Sequence, residues 1–236
     1  AANATLADIC VSAAPVGGGA EYGAQTAAAG TYTVSGLDPG SYIVKYSDCG
    51  NTDYASEYYL DSPDAAGADP VAVAREQDVA PIDAVLQQNG SISGVVTGPA
   101  DEPLEDICAR VIDAAGEEVA SDTTGADGGY SVSGLAPGQY RLHFIDCGSG
   151  AFVDEYYDNV ATLGAATALE VTAGQVTGNV DAKLASAGAI AGTVTGPGGQ
   201  PEADVCVTAL NADGTELSLG GTDANGQYYI THLSPG

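Results

Sequence analysis

The cysteines are the residues with the clearest chemistry to offer, and their spacing says what it is. Cys10, Cys108 and Cys206 stand 98 residues apart, and Cys49 and Cys147 repeat that interval. Cys10 precedes Cys49 by 39 residues, and Cys108 precedes Cys147 by the same 39. Paired recurrence of this kind favours a disulfide framework laid down in an oxidising compartment, with Cys10–Cys49 and Cys108–Cys147 each stapling one module. Cys206 would take a partner outside the chain. Metal ligation and a reduced buried thiol are the rival readings, but there is no Cys-x-x-Cys and no repeating histidine. Closing a loop of this size contributes roughly 3.5 to 4 kcal/mol in the chain-entropy account.

Other polar columns repeat as well: Asp8/Asp106/Asp204, Asp48/Asp146, Glu57/Glu155 and Asp83/Asp181. Turn caps and strand-end hydrogen bonds are the first reading of such columns. Calcium held at module junctions is the sharper, lesser one, because hard cations want clustered oxygens. Asn211–Glu216 and Asp223–Gly226 echo calcium loops but lack the full spacing. Tyr58-Tyr59 and Tyr156-Tyr157 recur after Glu57 and Glu155. In an alternating strand one ring of each pair faces the core and the other is left as a possible interaction surface. His143 and His232 fall in columns held elsewhere by Lys45 and by Gly36/Gly134, and no nucleophile elbow accompanies them. No catalytic, cofactor-binding or metal site is expected. Asn3-Ala4-Thr5 and Asn89-Gly90-Ser91 match glycosylation sequons without repeating.

The elements that position these residues form a tandem repeat, which is the first thing a fixed period implies. Gly30–Tyr59 and Gly128–Tyr157 share fifteen of thirty residues without a gap. The domains read as 1–89, a repeat lacking its first strand, 90–187, the complete repeat, and 188–236, the N-terminal half of a third. Within the complete copy, Ser91–Thr97, Ile107–Asp113, Glu118–Thr123, Tyr130–Ser133, Gln139–Ile145 and Phe152–Tyr157 read as strands separated by Gly- and Pro-rich turns. Leu169–Thr172 and Val180–Leu184 flank Ala173-Gly174 as an expected closing hairpin. About seven short strands with period-2 patterning predict an all-β, Ig-like sandwich for each module.

Composition narrows the partners. Five basic residues against 32 acidic ones give a formal net charge of −27, so no basic patch for nucleic acid can be assembled. No run reaches the ~20 apolar residues of a membrane span. Apolar residues are mostly Ala and Val, with two Phe and no Trp or Met, so each core is thin and β-branched.

The pattern G-x-[IV]-x-G-x-V, then P and C-V, then T-x-x-x-G-x-Y-x-[VI]-x-x-L-x-P-G-x-Y resembles the carboxypeptidase regulatory-like domains. That resemblance implies a transthyretin-like (prealbumin-like) sandwich, related to the Cna B-type repeats of bacterial surface proteins. The added D-C…E-Y-Y element is similar to tandem versions on secreted actinobacterial proteins. Cna B-type relatives often carry a Lys–Asn isopeptide bond, but Lys45 aligns with His143 and Lys183 with Val85, so that staple is not expected to repeat.

The function these readings favour is a non-enzymatic, extracellular or cell-surface repeat protein, forming a stalk or the shaft of a filament. Its partners would be neighbouring copies of the repeat, in the same chain or head-to-tail in a fibre. A glycan- or protein-binding adhesin module, or an accessory domain of a secreted hydrolase, is the alternative. Both open ends are expected to be completed by segments resembling this repeat, since unpaired strand edges recruit strands.

Overall fold

A computed structural model describes residues 4–50, 53–75, 77–148 and 150–233, together with all of their side chains except that of His232. Asn3 of the first sequon lies outside the described residues. The chain divides into two compact units. One comprises residues 1–91 with 133–138 and 170–176, and the other 92–132, 139–169 and 177–236.

In the first unit, β1 (Ile9–Pro15), β2 (Tyr22–Gln25), β3 (Gly40–Asp48), β4 (Glu57–Tyr58) and β5 (Val71–Val73) build one sheet. Its order is β2-β1-β3-β4, with β5 also on β3. Alternation places Ile9, Val11 and Ala13 of β1, and Tyr42, Val44 and Tyr46 of β3, on one buried face. Register agrees, since Val11 stands opposite Tyr46 and Ala13 opposite Val44. Leu6, Tyr32, Val34, Ile82, Ala84 and Leu86 pack against that face. The segments 31–37 and 81–87 that supply most of them carry no ladder of their own.

The complete copy continues with β6 (Gly90–Thr97), β7 (Ile107–Ile112), β8 (Glu118–Thr123), β9 (Gly129–Leu135) and β10 (Gly138–Asp146). It ends with β11 (Glu155–Tyr156), β12 (Leu169–Val171), β13 (Val176–Thr177) and β14 (Ala182–Lys183). One sheet runs β11-β10-β7-β8 with β12 on β10, and the other runs β13-β6-β14 with β9 on β6. Ile107, Ala109, Val111, Leu142 and Phe144 are buried from the first sheet, and Ile92, Val96, Val132 and Ala182 from the second. Tyr130 of β9 meets Phe144 of β10 edge to face, with ring centroids 5.6 Å apart, which ties the two sheets together. The fold is an all-β sandwich.

The expected closing hairpin is corrected. Gly174 turns at φ +65°, but the flanking strands then part company. β12 joins β10, whereas β14 runs parallel to β6, with Ala182 opposite Val96. Each strand buries its apolar residues in a different sheet, so burial overrides the local hairpin geometry.

The third copy contributes β15 (Gly188–Thr193), β16 (Cys206–Leu210), β17 (Glu216–Gly221) and β18 (Gln227–Leu233). They form two antiparallel pairs, β15 with β18 and β16 with β17.

Candidate functional site

The disulfides sit where the topology brings neighbouring strands to a common end. β1 and β3 are antiparallel, with Ile9 opposite Asp48, so Cys10 and the following Cys49 meet at a Cα–Cα distance of 5.2 Å and are bonded. β7 and β10 repeat the arrangement, Ile107 standing opposite Asp146, and Cys108 is bonded to Cys147 across 5.8 Å. Cys206, in the same column, is exposed on β16 with a free thiol.

The acidic columns organise the backbone around these bonds. Asp8, Asp106 and Asp204 all take φ near +60°, a conformation that Asp tolerates better than most residues. The carbonyl of Asp106 accepts from the Cys147 amide at 3.1 Å, and that of Asp8 from the Cys49 amide at 3.4 Å. Asp146 is buried at 6% exposure, and its carboxylate accepts from the amides of Gly148, Ala151 and Phe152 at 3.0, 2.8 and 3.1 Å. Three donors offset the cost of desolvating the charge. Asp181 Oδ1 accepts from the Val95 amide at 2.8 Å.

A second column went unread in the sequence. Thr26, Thr124 and Thr222 are buried, and each hydroxyl makes the same two bonds. Thr124 Oγ1 accepts from Ile107 N at 2.9 Å and donates to Leu104 O at 2.6 Å. Thr26 bridges Ile9 and Leu6, and Thr222 bridges Val205 and Glu202. The 98-residue recurrence of Thr was the available signal.

The tyrosine pairs form a ledge on β4 and β11. Tyr156 stands across from His143, and the rings stack with centroids 4.1 Å apart and planes 6° from parallel. Lys45 occupies the same place opposite Tyr58, its Nζ 5.9 Å from the ring centre. Tyr59 packs against the core, and the Tyr157 amide donates to Leu142 O at 3.0 Å. All four tyrosines are half-buried. Burial pushes the Glu155 carboxyl up to about 7 and raises that of Glu57, to which Asp61 adds. Burial holds His143 below the usual imidazole range, against the opposing pull of Asp154. This arrangement stacks rings and shelters carboxyls; it aligns no nucleophile with a base.

Among the described residues, no group of three or more His, Cys, Asp or Glu side chains is placed to hold a metal ion. The two loops that echo calcium sites are spent on turn bonds. Asn211 Oδ1 accepts from Asp213 and Thr215 amides, and Asp223 Oδ1 from those of Asn225 and Gln227. Two of the five basic residues are ion-paired, Arg110 with Glu118 at 3.4 Å and Lys183 with Asp101.

No curated protein sequence matches the chain. Among solved structures it is similar to the Bacillus anthracis TIE protein, at 17% identity and a TM-score of 0.36, covering 95% of this chain and 40% of that one. The chain thus spans 40% of the length of that relative. It is also similar to GBS52, the minor pilin of the Gram-positive pathogen Streptococcus agalactiae. There the identity is 14% and the TM-score 0.41, over 77% of this chain and 84% of that one. A streptococcal ancillary pilin follows at 14% identity and a TM-score of 0.35, over 92% and 70%. In sequence, residues 91–185 match the profile of the carboxypeptidase regulatory-like domain. The matched segment includes most of the G-x-I-x-G-x-V run that forms β6, so over residues 91–185 the chain is similar to the carboxypeptidase regulatory-like domain.

Proposed function

We propose that the chain is a non-enzymatic, extracellular structural repeat protein, the shaft of a surface stalk or filament, with modules at 1–89, 90–187 and 188–236. One observation carries this reading. The same disulfide joins the same two antiparallel strands in successive copies, β1 to the end of β3 and β7 to the end of β10. A covalent tie across neighbouring strands shortens what a module can yield under tension. Each bond locks a segment of 39 residues whose full extension would be roughly 130 Å. The high negative charge keeps such a protein soluble and apart from its neighbours on a crowded surface.

Single-molecule stretching tests it. Oxidised modules should unfold with contour lengths shorter by roughly 130 Å each than reduced ones. Equal lengths in both redox states would overturn the stapled-shaft reading. Protease shaving of intact source cells should release the repeat, and its retention inside would overturn the surface placement. The adhesin alternative draws on the tyrosine ledge, where His143 and Lys45 already cover ring faces.

A further inference from the structure

Two segments of the chain, 87–89 and 185–187, stand 98 residues apart and are tied down by the same backbone bonds. Tyr54 pairs with Gln88 in a single β-bridge, and Phe152 pairs with Ser186 in another. The Asn89 amide donates to Asp53 O at 2.8 Å, and the Ala187 amide to Ala151 O at 2.7 Å. The Ala55 amide donates to Gln87 O at 2.8 Å, and the Val153 amide to Ala185 O at 2.9 Å. The side chains differ where the backbone does not. Asp53, Tyr54, Gln88 and Asn89 hold the places taken later by Ala151, Phe152, Ser186 and Ala187. The later set makes the same bridge, so the fold asks for no carboxylate, phenol or carboxamide here. Groups that a scaffold does not need are the ones on which a site can be grafted.

These added groups converge. With Ser133 and the turn Gly174–Val176, they line a cleft of about 440 Å³. That is within the roughly 300 to 1,000 Å³ of small-molecule sites. Every lining residue belongs to the first compact unit. The walls are fixed by main-chain bonds. The Ser91 amide donates to Gln175 O at 3.1 Å, and the Gln175 amide to Thr172 O at 3.1 Å. Gly90 lets the chain close on that turn, since a Cβ there would stand 2.6 Å from Val171 Cγ1 and 2.7 Å from Thr172 O. Gly174 in turn makes room for Gln88, whose Oε1 would lie 2.5 Å from a Cβ at that position.

The lining selects a class of ligand. It holds one carboxylate, that of Asp53, and no Lys, Arg or His, on a chain of net charge −27, so it repels an anion. Among the described residues no acidic cluster stands ready for a metal ion. Carboxamides and hydroxyls set donors beside acceptors, and a ring of neighbouring hydroxyls presents the same mixture in return. Tyr54 and the exposed Val176 add apolar surface, which suits the C–H face of such a ring.

We propose that this cleft binds an uncharged saccharide. Asp53 accepts from adjacent ring hydroxyls, and Gln88, Asn89 and Gln175 complete the hydrogen bonds. The site goes beyond the shaft reading and uses no residue of the disulfides or of the tyrosine ledge. Either can therefore fail alone.

Amide NMR of the isotopically labelled 236-residue chain, titrated with glucose, galactose, mannose and N-acetylglucosamine, is the test. At least one of the four should give saturable shifts at Asp53, Gln88–Ser91 and Gly174–Val176. Glucuronate, which adds a negative charge, should bind about tenfold more weakly than the best of them, a difference of ~1.4 kcal/mol. The variant Asp53→Ala/Tyr54→Phe/Gln88→Ser/Asn89→Ala gives the first segment the residues of the second, whose backbone bonds are the same. It should keep its dispersed spectrum and lose binding by about tenfold or more, since several hydrogen bonds to the ring go with it. Asp53→Ala alone, which keeps the carbonyl that Asn89 N meets, should weaken binding by roughly three- to tenfold. No saturable shift with any of the four sugars would overturn the proposal. Shifts confined to the neighbourhood of Tyr58 or Tyr156 would place the sugar on the ledge and overturn this cleft. Undiminished binding by both variants would remove these side chains from the site, and equal binding of glucuronate would overturn the uncharged class. None of these outcomes alters the stretching behaviour that tests the shaft.

Discussion

The complete copy and the third copy place the same residue types in the same columns and bury them differently. Ile92 is 0% exposed and its counterpart Ile190 is 47% exposed. Ile107, Ala109 and Val111 of β7 are fully buried, while Val205, Val207 and Ala209 are half-buried. The difference lies in the second layer. Ile92 lies in a sheet of four strands and Leu142 and Phe144 are buried in the five-stranded sheet of the same sandwich, whereas among the described residues β15 pairs with β18 alone and β16 with β17 alone. Alternation gives a strand an apolar face, and the opposite sheet decides whether that face is core.

The largest test of this contrast is covalent. Cys108→Ser with Cys147→Ser should cost the complete module about 4 kcal/mol, the entropy of the released loop. Urea unfolding followed by hydrogen exchange of residues 107–146 would read it. Cys206→Ser should leave residues 188–233 unchanged, because Cys206 is a free thiol. A loss confined to well under 1 kcal/mol would mean that packing alone fixes β7 to β10.

The same contrast can be drawn with one methyl-bearing side chain. Ile92→Ala should destabilise the complete copy by about 2 to 5 kcal/mol, whereas Ile190→Ala should change local protection by less than about 0.5 kcal/mol. Equal effects would show that the third copy has a closed core. The buried threonines give a finer measure. Thr124→Val removes both the acceptor for Ile107 N and the donor to Leu104 O, at a cost of about 1 to 3 kcal/mol. Thr222→Val strips the same two bonds from the third copy, where the surrounding half-buried strands admit water and the loss is smaller.

What could be read in advance follows from this. Strands such as Glu118–Thr123 were legible because alternation and flanking turns are local properties. The separation of Leu169–Val171 from Ala182–Lys183 was not legible, since Ala173-Gly174 looks like a hairpin turn whichever sheets the strands join. Segment 31–37 is the counterpart of β9 by the 98-residue period, yet it carries no ladder, which the shared sequence did not foretell. The aspartate columns were legible as turn chemistry. The threonine column escaped because a buried hydroxyl between two backbone groups leaves no mark on composition.

The smallest effect is electrostatic, and its sign distinguishes two neighbours on one ledge. Burial raises Glu155 from its ordinary 4.5 to about 7, so between those values the folded state holds a proton that the unfolded chain has released. Stability contributed by the neutral carboxyl is full below pH ~4.5 and declines as pH rises through about 7. Glu57, raised by burial and by Asp61, works in the same direction in the first copy. His143 runs the other way: burial holds it neutral, so its contribution is present above the ordinary imidazole value of 6.5 and is lost as pH falls through its lowered one. Glu155→Gln should therefore flatten the decline in melting temperature between pH 5 and 7, and His143→Gln should flatten any fall on the acid side. Because Glu155 is only half-buried, solvent screens the effect and the shift is small. A melting temperature that rises across that interval, and keeps rising in the Glu155→Gln variant, would show that the ledge leaves this carboxylate ionised.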